Sequence, residues 1–119
     1  MMKILVCEDE LDSREAIKNI LSRRNYEVHI AMDGEESIEK TKELKPDLIL
    51  LDIRMPKIDG IEVTKKIRKF DTNVKIVFIT AFQSPELQKE TSKYDVTDYI
   101  VKPFSTDDIL KVVETTLQA

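Results

Sequence analysis

Short apolar runs alternate with longer stretches of helical period along this chain. Residues 3–7 (KILVC) predict a buried strand. Residues 11–24 place Leu11, Ala16, Ile17, Ile20 and Leu21 on one helical stripe. Residues 26–31 alternate and predict a second strand, followed by a helix over 34–44. Residues 47–51 (DLILL) are a third strand, with a helix over 61–70 behind it. The same alternation continues with a strand over 75–79 (KIVFI), a helix over 84–92, a short strand over 98–101 (DYIV) and a helix over 106–117.

Capping chemistry marks the helix starts. The pairs Asp12…Glu15, Asp33…Glu36, Asp59…Glu62 and Ser105…Asp108 match or approach the capping box, in which a side-chain oxygen meets an orphan N–H. Ser84-Pro85-Glu86 offers a cap, a proline at the first helical position and an acid in the first turn. Apolar strands without polar alternation are covered on both faces. Right-handed crossovers then give a parallel sheet with helices on both sides. The expected fold is α/β, a (βα)5 doubly wound sheet, since a closed barrel needs about 250 residues.

At 119 residues the chain is expected to form one domain over 1–119, large enough to bury a core without disulfides. The two glycines and four prolines are scattered, and no linker or repeat interrupts the pattern. Net charge is −4, which argues against nucleic acid as a partner, because a phosphate-binding surface needs clustered positive charge. The single cysteine, Cys7, leaves no internal disulfide or cysteine-cluster metal site. The single histidine, His29, leaves no multi-histidine zinc site. Cys7 reads as core, His29 as surface, and Phe70, Phe78 and Phe104 as core. No apolar run approaches the roughly 20 residues of a membrane span. The acidic Glu8-Asp9-Glu10 so near the start is unlike a signal peptide, so a cytoplasmic location is expected.

In open parallel sheets, chemistry gathers beyond the carboxyl ends of the strands. Glu8 and Asp9 follow the first strand, Asp52 ends the third with Ile53 and Arg54 behind it, Thr80 and Ala81 follow the fourth, and Lys102 and Pro103 the fifth. The second strand offers only Met32 and Asp33, a turn and a cap. The fold would bring three carboxylates, a hydroxyl and an ammonium to one edge. Carboxylates in close company must protonate or find a cation. A hard divalent ion such as Mg2+, bound by oxygen and sharing phosphate ligands, suits them. The set therefore predicts phosphoryl transfer, with a carboxylate as covalent acceptor.

The segments KILVCED, PDLILLDIRMPKIDG, KIVFITA and DYIVKPF together resemble the receiver domain of two-component response regulators, the CheY-like family. The resemblance covers essentially the whole chain. From Asp9 to Asp52 is 43 residues, from there to Thr80 is 28, and from there to Lys102 is 22, all receiver-like spacings. The resemblance implies a flavodoxin-like strand order 2-1-3-4-5. It implies Asp52 as phospho-acceptor, with Mg2+ held by Asp9, Asp52, the backbone carbonyl of Arg54 and, through water, Glu8. Lys102 would pair with a phosphoryl oxygen, and its bond to Pro103 would be cis. Thr80 would respond to the phosphoryl group, and Tyr99 would be the aromatic switch. The implied partners are a sensor histidine kinase or histidine phosphotransfer protein and a downstream protein target. The implied state is a monomer or a weak, phosphorylation-dependent dimer, a signalling protein rather than an enzyme.

Some positions depart from the family's usual pattern. Glu8 stands where aspartate is commoner, and the small turn before the fifth strand reads Tyr94-Asp95-Val96, with Asp95 at a position that can require positive φ. Arg54 and Phe82 stand, each two past a key residue, at positions that the resemblance implies tune phosphate lifetime. A relay intermediate that passes phosphate onward and a phosphorylation-independent scaffold are the alternatives. A dehalogenase-type phosphatase would need an acid where Arg54 stands, and no glycine-rich loop supports a dinucleotide or P-loop site.

Overall fold

The structure, a computed structural model, describes residues 1–81 and 83–118. Phe82 lies outside the described residues. Ten elements alternate: β1 (Lys3–Cys7), α1 (Leu11–Ser22), β2 (Glu27–Ala31), α2 (Gly34–Leu44), β3 (Leu48–Asp52), α3 (Gly60–Arg68), β4 (Lys75–Thr80), α4 (Pro85–Ser92), β5 (Val96–Val101) and α5 (Thr106–Gln118). All strand pairs are parallel, and the order is β2-β1-β3-β4-β5. The expected doubly wound sheet is the observed one.

Period-two alternation runs through the apolar stretches of the central strands. Ile4 and Val6 of β1, Leu48 and Leu50 of β3, and Val77 and Ile79 of β4 face one way, against Ile17 and Leu21 of α1 and Ile109 and Val113 of α5. Leu5 and Cys7, Ile49 and Leu51, and Ile76 and Phe78 face the other way, with Val63 and Ile67 of α3. Each face thus has its own core; β3 is buried throughout, and β1 and β4 are buried beyond their first residues, Lys3 and Lys75. Burial pushes the Cys7 thiol up to about 12, which makes it an inert core residue.

Three of the predicted cap pairs hold. Asp33 accepts from the Glu36 N–H and Asp59 from the Glu62 N–H. Ser105 and Asp108 bond reciprocally, at 2.9 and 3.1 Å. Ser84 caps α4 through the Leu87 N–H. Asp12…Glu15 does not act as a cap: α1 begins at Leu11, Glu10 is its N-cap, and Asp12 lies in the first turn. β5 starts at Val96 rather than at 98, because a register shift after Ile76 leaves Thr97 out of the pairing and hides the alternation. Phe70 is not core. It falls beyond the end of α3, is 43 % exposed, and has the Lys42 ammonium 5.1 Å above its ring. Phe78 is fully buried and Phe104 packs at the core's edge. His29 is half-buried on β2, its Nε2 2.7 Å from a Glu27 carboxylate oxygen. Asp95 takes φ 57° as its turn requires, with Arg68 bonded to the Tyr94 and Asp95 carbonyls.

Both glycines seat the loop that follows Asp52. A Cβ on Gly60 would stand 2.7 Å from the Asp52 carbonyl oxygen and 2.8 Å from the Ile53 Cα, while one on Gly34 would meet the Ile58 carbonyl oxygen at 2.5 Å. Backbone cannot retreat as a flexible side chain can. Gly60→Ala is therefore expected to destabilise the protein by about 1–3 kcal/mol, seen as a lower urea midpoint with an unchanged slope. A midpoint equal to the parent's would show that the loop is not held by this contact.

Candidate functional site

Register decides which side chains meet. Cys7 of β1 pairs with Leu51 of β3, so the next residues, Glu8 and Asp52, lie side by side. Continuing the alternation, Glu8, Asp52 and Lys102 share the parity of the strand residues that face α1 and α5. Thr80 has the opposite parity. The Lys102 N–H continues the ladder by donating to the Thr80 carbonyl at 2.8 Å. From there the Lys102 side chain spans the sheet edge, and its Nζ donates to Asp52 Oδ2 at 2.8 Å and Glu8 Oε1 at 2.7 Å. The Lys102–Pro103 bond is cis.

Glu8 is fully buried and Asp52 only 6 % exposed, whereas Asp9 is exposed. One carboxylate oxygen from each of the three lies within 4.8 Å of the others. Asp52 Oδ1 accepts the Arg54 N–H at 2.9 Å, which leaves the acid fixed at both oxygens. Glu8 Oε2, by contrast, is buried with no hydrogen-bond partner among the described residues. An unpaired buried oxygen of this kind carries a desolvation penalty that a cation would relieve. The exposed side of the group opens into a cleft of 570 Å3, walled by Asp9, Asp52, Arg54, Thr80, Ser84 and Leu87.

Electrostatics follow from that packing. Burial, and then the neighbouring Asp52 carboxylate, push the Glu8 carboxyl up to about 7 against the opposing pull of Lys102. Burial weakens the charge on Lys102, but its bonds to Asp52 and Glu8 outweigh it and hold the ammonium pKa above the ordinary lysine value.

The predicted residues Glu8, Asp9, Asp52, Arg54, Thr80 and Lys102 all reach this one edge. Tyr99 does not. Its ring packs toward Phe78, with centroids 6.1 Å apart, and its hydroxyl bonds Thr91 of α4. Thr91 is buried and donates to the Leu87 carbonyl, so the phenol must be the donor in the shared bond. Thr91 was not visible as a partner in the sequence; its only signal is that it follows Leu87 by one helical turn.

A family model described as the response regulator receiver domain matches residues 4–114. The chain belongs to this family. The receiver is 37% identical over 112 residues to the chemotaxis protein CheY of Thermotoga maritima, covering 93% of each. It is 31% identical over 116 residues to the regulatory protein AtoC of Escherichia coli, where it covers 98% of this chain but only 25% of that protein. Among solved structures, a chain of the CheX-CheY-BeF3-Mg2+ complex from Borrelia burgdorferi superposes with a TM-score of 0.91 at 29% identity, covering 96% of this chain and 87% of that one. CheY-like receivers are signalling proteins of two-component systems. Among the described residues of this receiver, no helix is long and apolar enough to cross a membrane.

The raised Glu8 pKa has a direct consequence for stability. A native-state value of about 7 against an ordinary 4.5 means that the folded receiver holds this proton more tightly than the unfolded chain does. The penalty is absent below 4.5, grows between 4.5 and 7, and is complete above 7. In EDTA, Glu8→Gln is expected to be more stable than the parent at pH 8, by about 3 kcal/mol, and to approach it at pH 5. Urea midpoints at the two pH values check this. An equal gain at both would remove Glu8 ionisation as the cause.

Proposed function

We propose that this chain is a single receiver domain that accepts a phosphoryl group on Asp52 and switches conformation to control a protein partner. The observation that carries the reading is the meeting of Asp52 with Lys102, Glu8 and Asp9 from three separate strand ends. Caps or surface charges would have no reason to converge.

The residues fit a divalent cation. All donors are hard oxygens, and Glu8 Oε2 has no hydrogen-bond partner among the described residues. Asp9, Asp52 and the Arg54 carbonyl would hold Mg2+, with Glu8 acting through water. When bound, the ion would offset the negative charge of the incoming phosphoryl oxygens. The rest of the work belongs to the chain. The Arg54 N–H holds Asp52 Oδ1, which orients the carboxylate toward the cleft. An Asp52 oxygen attacks phosphorus, the O–P bond forms, and the donor's N–P bond breaks with its electron pair returning to the imidazole nitrogen. Lys102 leaves its present carboxylate partners to pair with a phosphoryl oxygen, and Thr80 turns its hydroxyl toward the same group.

The donor is a sensor histidine kinase or a histidine phosphotransfer protein, since His29 lies on β2 beside Glu27 and away from the cleft. Readout passes through Tyr99 and the face of α4, β5 and α5 to a downstream protein. The phosphatase alternative lacks its second acid, because Arg54 stands there. The scaffold alternative is disfavoured because the acids, the threonine and the lysine are all present.

Incubation with Mg2+ and acetyl phosphate is expected to place one base-labile phosphate on the parent and none on Asp52→Asn, read by intact-protein mass spectrometry. Equal labelling of the two proteins would remove Asp52 from the acceptor role.

A further inference from the structure

The turn between β1 and α1 carries three consecutive acids, Glu8, Asp9 and Glu10, two of which join the carboxylate cluster. Like charges so close together repel, and the helix that follows does little to restrain them. Glu10 is the N-cap of α1 and makes no side-chain cap bond to the helix backbone. Its carboxylate instead accepts from the Ser13 hydroxyl at 2.6 Å.

Two contacts do restrain the turn. The Glu8 N–H donates to the Ala31 carbonyl at 3.1 Å. The half-buried Arg14, one helical turn into α1, donates from Nη1 to the Glu8 carbonyl at 3.3 Å and to the Asp9 carbonyl at 3.2 Å. These carbonyls belong to the two peptide planes on either side of the Asp9 Cα. Holding both planes fixes φ and ψ of Asp9, and with them the direction of its Cβ. The Ala31 bond and the Arg14 bond do the same for Glu8. A basic group that could have paired with the nearby carboxylates is committed to backbone oxygens instead.

We infer that Arg14 is a positioning residue for the divalent-cation site: by clamping the Glu8 and Asp9 carbonyls it aims both carboxylates at Asp52. This rests on the reading of the carboxylate cluster as an Mg2+ site. The inference has a distinctive sign. If Arg14 acted only through its charge, removing it would tighten cation binding, because a nearby positive charge repels the ion. As a clamp, its removal must weaken binding, since residues that orient metal ligands typically contribute about 10–100-fold to affinity.

The test is titration of MgCl2 into the full chain, without phosphodonor, by isothermal calorimetry for the parent, Arg14→Gln and Arg14→Lys. Circular dichroism and urea midpoints accompany each titration. Arg14→Gln is expected to bind Mg2+ about tenfold more weakly than the parent, with Arg14→Lys between them because the ammonium keeps its donors but lacks the rigid planar guanidinium that fixes their direction. Equal or tighter binding by Arg14→Gln overturns the inference, as does a lowered urea midpoint with unchanged Mg2+ affinity. If Arg14→Gln does not fold, Arg14→Lys decides: weaker binding at native circular dichroism supports the clamp, and parental affinity overturns it. A parent that binds no Mg2+ overturns the reading of the cluster itself, whereas a binding parent with an indifferent variant overturns the clamp alone.

Discussion

One ammonium holds the working edge of this receiver together. Lys102 reaches from the end of β5 across β4 to an acid at the end of β3 and another at the end of β1. Two carboxylates this close and this buried would otherwise repel each other across a medium that screens poorly. The bridge tolerates them without fully satisfying them: one Glu8 oxygen has no partner among the described residues, and its pKa lies well above that of an ordinary carboxyl.

The scaffold around the bridge exists to keep those distances. Central strands buried on both faces leave little freedom of register, since a one-residue slip would exchange the two cores. The loop after Asp52 is pressed against α2 and α3 at the chain's two glycines, where a methyl group would strike backbone. The turn after β1 is clamped from α1. Each device acts on the main chain, and the functional side chains inherit their aim from it.

Much of this was legible from residue order. The alternation of apolar runs with helical stripes specified five strand–helix units, and the strand-end rule selected Glu8, Asp9, Asp52, Thr80 and Lys102. The caps at Asp33, Asp59, Ser84 and Ser105 were legible because a cap bond spans only three residues. Misreadings came where local pattern and packing part company. Asp12 had the right spacing for a cap, but the helix starts earlier. Phe70 is large and apolar, yet α3 ends before it. Thr97 drops out of register and conceals the start of β5.

Periodicity, capping and turn chemistry depend on neighbours within a few residues, so the sequence by itself determined the elements, their order and the identity of the strand-end groups. It could not determine the partners those groups choose. That Lys102 bridges two acids, that one oxygen of Glu8 has no partner among the described residues, that Thr91 accepts the Tyr99 hydroxyl and that Arg14 grips two carbonyls are outcomes of strand register and helix docking. Those contacts join residues that are distant in the chain or lie across a turn, and only the closed backbone brings them within hydrogen-bonding distance.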